Sequence, residues 1–164
     1  MADDKLEQRV KALEDRYEVE EFILSYFGYG DSAPHGDYVN FYDEDPFLDL
    51  NGRVCTVKAD IPALYRQVGS YFPRLTGKYH MQITNFIIRV DGDSAKVNFL
   101  WTQQINESVK GVPRFTEQGR EYDHLVRVDG QWKFKKRVVI SDSGLLDCFD
   151  DIWQPRYDQK LEDA

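Results

Sequence analysis

Strand-like runs joined by tight turns fill residues 78–141, and they constrain this chain more than any other feature. "KYHMQITNFIIRV" runs into the turn "DGDS" and then "AKVNFLWTQQI". After the loop "NESVKGVPRF" come "TEQGREYDHLVRV", the turn "DG" and "QWKFKKRVVIS". β-Branched and aromatic residues favour extended backbone, and Asp-Gly suits a tight hairpin. The pattern predicts a meander of long antiparallel strands.

Helical periodicity precedes the meander. Over residues 4–29, Leu6, Val10, Leu13, Tyr17, Phe22, Ile23, Tyr26 and Phe27 recur at three- and four-residue steps. Gly28 and Gly30 are stop signals for that helix. Residues 35–46 read as a short helix or turn that Pro46 ends. "PFLDLNGRVCTVK" reads as two short strands about Asn51–Gly52, and "ADIPALYRQVGSYF" as a second helix. Helices first and strands after argue an α+β fold, with helices laid on one face of a curved sheet. Such a sheet closed by helices makes a cone with one open mouth, a shape that suits a small ligand.

The bulk numbers narrow the function. At 164 residues the chain predicts one domain over 1–164, with a tail from 143 onward. Its formal charge of -8 speaks against nucleic acid as the main partner. No apolar segment suggests a membrane span or leader, so a cytoplasmic protein is the default expectation. Cys55 and Cys148 are far apart and have no metal spacing. The histidines at 35, 80 and 124 lack metal-ligand pairing, so no metal is expected.

Several residues are candidates for chemistry. His80 opens a strand, and a neutral imidazole is a base near neutral pH. Asp31 could orient it, with Asp37 a weaker rival; alternatively, His80 is an ordinary strand histidine and Asp31 a helix-end residue. Tyr26 could donate to a substrate oxygen or serve only as a core tyrosine. Arg137 could stabilise a departing group, but strict alternation puts Trp132, Phe134, Val138 and Ile140 on the opposite face. Either the pocket lies on the Arg137 face, or a bulge re-aims that side chain. His124 and Tyr122 share a face that could line a cavity. Trp101 and Gln103 share another, as an aromatic wall with a polar handle.

"LEDRYEVEEFILSYFGYGD", "YHMQITNFIIRVDGDSAKV", "GREYDHLVRVDGQW" and "WKFKKRVVISDS", in this order, resemble the SnoaL-like branch of the NTF2-like superfamily over about residues 5–142. The resemblance implies a cone-shaped barrel: a curved, mainly antiparallel sheet with N-terminal helices on its concave face. Similar lyases include scytalone dehydratase, bile-acid 7α-dehydratase and hexachlorocyclohexane dehydrochlorinase, which use an Asp–His dyad. Carried over, Asp31 orients His80, the base, while Tyr26 and Arg137 polarise the substrate. Where scytalone dehydratase has a second histidine, this chain has Gln103 and Gln104.

The expectation is a cofactor-free lyase of the dehydratase type acting on a hydrophobic cyclic small molecule. Trp101, Gln103, Tyr122, His124 and Phe27 are its candidate substrate contacts. An isomerase or cyclase using the same pocket, or a non-catalytic binding module, is the alternative. The resemblance also implies a homo-oligomer, dimer or trimer.

Overall fold

The computed structural model describes the backbone of residues 2–28, 38–69, 79–106 and 108–160. Helix α1 (Ala2–Phe27) comes first, and a 3-10 turn (Tyr38–Phe41) leads into β1 (Tyr42–Leu50). A tight turn joins β1 to β2 (Arg53–Cys55), and α2 spans Ile61–Gly69. The meander follows as β3 (Tyr79–Asp91), β4 (Ser94–Ile105), β5 (Arg114–Val128) and β6 (Gln131–Ser143). A 3-10 turn at Asp147–Phe149 begins the tail.

The six strands form one sheet in the order β2-β1-β6-β5-β4-β3. All neighbours are antiparallel except β1 and β6, which run parallel. The sheet is therefore mixed and curved but not closed, with β2 and β3 as its edges. This is the expected α+β, NTF2-like arrangement. No helix among the described residues is long and apolar enough to cross a membrane.

Burial selects one face. In β4, Ala95, Val97, Phe99, Trp101, Gln103 and Ile105 are buried in unbroken alternation. Val19, Ile23 and Tyr26 of α1 join the same core as Phe99, Leu125 and Phe134. The first half of α1 differs: Leu6, Val10, Leu13 and Tyr17 follow the helical period yet lie exposed. Periodicity announced the helix there but not a buried face.

Among the register shifts that break simple alternation, three bear on the core and the site. In β3 the register shifts between Thr84 and Ile87, where Asn85 takes a φ of 58°. Met81 and Ile83 pack on the core before the shift, and Phe86, Ile88 and Val90 after it. In β6, Leu125 pairs with Phe134 but His124 pairs with Lys136, which leaves Lys135 as an extra residue. In β1 the register shifts between Tyr42 and Phe47. Pro46, expected to end a segment, instead lies within the strand at this shift, where a missing ladder donor is tolerated.

Candidate active site

The bulge at Lys135 decides where Arg137 goes. Before it, Trp132 and Phe134 point into the core; after it, Arg137, Val139 and Ser141 take that side. Val138 and Ile140 pack with Tyr122 in a separate cluster on the other face. Arg137 is only 2% exposed and lines a cavity of about 500 Å³.

A guanidinium so buried needs a matched environment, because an unpaired interior charge is costly. Its Nε donates to Glu121 Oε1 at 2.5 Å, and Nη2 forms an ion pair with the same oxygen. Its Nη1 donates to Tyr42 Oη at 2.8 Å and to Tyr65 Oη at 3.3 Å. The rings of Tyr26 and Phe134 lie 4.3 and 4.6 Å from its central carbon, adding cation–π attraction. The three phenols form a triangle with edges of 3.2 to 3.3 Å, in which Tyr26 donates to Tyr65. Tyr65 Oη thus accepts from Tyr26 and Arg137, and its own proton is left for Tyr42 or a ligand.

Asp123 lies beneath this unit, fully buried and 3.8 Å from Arg137 Nε. Two carboxylates therefore share one guanidinium. Burial and the neighbouring Glu121 charge push the Asp123 carboxyl well above the usual range. Burial also raises Glu121, against the pull of Arg137. Both buried carboxyls are thus pushed toward the protonated form, and Asp123 the more strongly. Burial keeps the phenols of Tyr26 and Tyr42 neutral by raising them far above their ordinary value.

A second polar group stands elsewhere in the cavity wall. Ser141 Oγ donates to Glu117 Oε1 at 2.5 Å and accepts from Asn51 Nδ2 at 2.9 Å. Burial raises the Glu117 carboxyl. Between the two poles the wall is apolar, from Phe27, Met81, Trp101, Leu146 and Phe149. The tail closes this end. Arg53 donates to the Cys148 carbonyl at 2.5 Å, and Arg156 pairs with Asp49 at 2.8 Å.

The cavity brings together five of the residues singled out in the sequence: Tyr26, Phe27, Trp101, Gln103 and Arg137. Three others lie elsewhere. His80 is exposed at the start of β3 and does not line the cavity; alternation turns its neighbour Met81 inward instead. Tyr122 packs on Val138 and Ile140, and His124 bonds Ser94 Oγ at 2.9 Å through Nε2. Both belong to the face away from the cavity, because Glu121, Asp123 and Leu125 occupy the inner one. Asp31, with His35 and Asp37, lies outside the described residues.

Sequence reasoning missed Tyr42, Tyr65, Asn51, Ser141 and the acids of β5. One signal was present for the acids. Glu117, Glu121 and Asp123 share strand parity in a segment flanked by strands on both sides. Same-face acids in a central strand must find partners inside the fold.

The comparisons with known proteins agree with this architecture. A search of curated proteins returned no match. Among solved structures, a protein of Novosphingobium aromaticivorans provisionally named a scytalone dehydratase is similar at 19% identity and a TM-score of 0.65, over 80% of this chain and 87% of its own. ActVI-ORFA of Streptomyces coelicolor is similar at 18% identity and a TM-score of 0.66, over 77% and 96% respectively. An NTF2-like protein with a cystatin-like fold from N. aromaticivorans aligns at 20% identity and a TM-score of 0.65, over 91% and 95%. At such identities the likeness carries the fold alone. The family model described as a SnoaL-like domain matches residues 11–138, and this chain belongs to that family.

Proposed function

We propose that the protein is a cofactor-independent lyase of the dehydratase type, acting on a hydrophobic cyclic ketone with a hydroxyl β to the carbonyl. One observation carries this reading: Arg137 holds Tyr65 and Glu121 together at the wall of an aromatic cavity. A hydrogen-bond donor and a base sharing one fixed cation make a unit for abstracting a proton α to a carbonyl.

In this scheme the substrate carbonyl accepts the Tyr65 proton as a hydrogen bond. Glu121 removes the α-proton, and the C–H electron pair becomes an enolate whose charge Tyr65 and Arg137 stabilise. The enolate then collapses to the conjugated ketone and expels the β-hydroxyl, which takes the proton from Glu121 and leaves as water. Burial sharpens each of these electrostatic interactions. Glu121 is assigned as base in place of His80 because Glu121 lines the cavity and His80 does not. Returning the proton to a different carbon would make the same unit an isomerase, and product mass separates the two outcomes.

The test needs no knowledge of the natural substrate. β-Tetralone, a two-ring ketone, should exchange its α-hydrogens with heavy water faster in the presence of the protein, followed by NMR. Glu121→Gln and Tyr65→Phe, shown folded by circular dichroism, should each lose roughly 100-fold or more of that rate. Wild-type exchange no faster than buffer, or full activity in Glu121→Gln, sinks the proposal.

A further inference from the structure

Within the second polar group of the cavity, Asn51 and Ser141 carry the structural attachment. Asn51 already pins the β1–β2 turn to β6: its N–H donates to Val139 O at 3.0 Å, and its Oδ1 accepts the Ser141 N–H at 2.7 Å. Glu117 adds nothing to that attachment. Among the described residues it forms no ion pair, and its one donor is the Ser141 hydroxyl. A carboxyl brought to a cavity wall with a single hydrogen bond keeps acceptor capacity to spare.

Its position is set by β5. Glu117 and Glu121 face the same cavity four residues apart, about 13 Å along an extended strand. Between them stands Gly119, and the Trp101 ring lies over it. A Cβ there would meet Trp101 Cζ2 at 2.6 Å. The missing side chain lets a flat indole floor run between the two polar poles. That floor matches a fused or planar ring system, with the polar groups meeting its two ends.

We propose that Glu117, presented by Ser141 and Asn51, is a specificity-determining residue that accepts a hydrogen bond from a hydroxyl at the far end of the substrate. The cavity thereby selects cyclic compounds oxygenated at both ends. This rests on the proposed function only for the near end, where Tyr65 and Arg137 take the carbonyl. The relay has a direction: Asn51 donates to Ser141, which donates to Glu117, so the free carboxyl oxygen is left to a ligand donor.

The test is equilibrium binding, measured by calorimetry, of a naphthalene diol with hydroxyls on opposite rings against the naphthol lacking one of them. Wild-type protein should bind the diol roughly 10-fold more tightly, as expected for one hydrogen bond to an acidic group. Glu117→Leu should bring the ratio to about one. If Glu117→Leu does not fold, Glu117→Gln keeps the shape and should cut the ratio to about threefold. Tyr65→Phe should weaken both ligands equally and preserve the ratio. A wild-type ratio near one, or a ratio that survives in folded Glu117→Leu, overturns the assignment. Naphthol binding indifferent to Tyr65→Phe would instead count against the near-end reading and leave Glu117 standing.

Discussion

Asp123 stands in an environment far from what a carboxylate prefers. It is fully buried, beside a second carboxylate, with a single cation to share. Its carboxyl is raised well above the usual range, first by burial and then by Glu121. The sign of its pH effect follows. A carboxyl raised on folding holds a proton that the unfolded chain has released, so its contribution falls as pH rises above the unfolded value. Asp123→Asn keeps the shape of the protonated acid and removes the titration. The difference in unfolding free energy between this variant and wild type should therefore grow in the variant's favour from about pH 4 toward neutrality. Urea denaturation across that range measures it. A difference that is flat with pH, or that runs the other way, would show that Asp123 is ionised in the folded state.

At the scale of elements, the central strands are held at a fixed approach by a missing side chain. Gly119 in β5 sits where any Cβ would overlap the Ile140 carbonyl oxygen of β6 and press on the Trp101 ring of β4. The carbonyl belongs to the sheet ladder and cannot move aside. Gly119→Ala should cost about 2 kcal/mol or more, as overpacking against fixed backbone does, and displace Trp101 from the cavity floor. Thermal melting and indole fluorescence would report both effects; an unchanged melting temperature would contradict the close approach. The same scale shows what was legible beforehand. The alternation of β4 and the turns at Asn51–Gly52 and Asp129–Gly130 were readable, because period two and positive φ are local properties. The inward turn of Arg137 was readable only as one of two options. Lys135 is an extra residue solely in relation to His124 of the neighbouring strand.

Across the whole molecule, the cavity depends on the chain's last segment. Gly144, with a φ of 75°, turns the chain off β6 so closely over Thr116 and Glu117 that no Cβ fits. The tail then brings Leu146 and Phe149 to the cavity wall and lays the Phe149 ring under Arg53 at 5.7 Å. Phe149 is almost wholly buried, so Phe149→Ala should destabilise the fold by about 3–5 kcal/mol and enlarge the cavity. A denaturation midpoint equal to wild type would mean that the tail only rests on the surface. By itself the sequence determined the order of helices and strands, the turns between them and the inner stripe of β4, because each follows from the conformational preferences of neighbouring residues. Only the tertiary structure decided which face of β5 is interior and which phenols reach Arg137. Glu121, Tyr65 and Tyr42 lie 16, 72 and 95 residues from Arg137 along the chain. Those contacts exist only once bulges have shifted the register and the sheet has curved around its core.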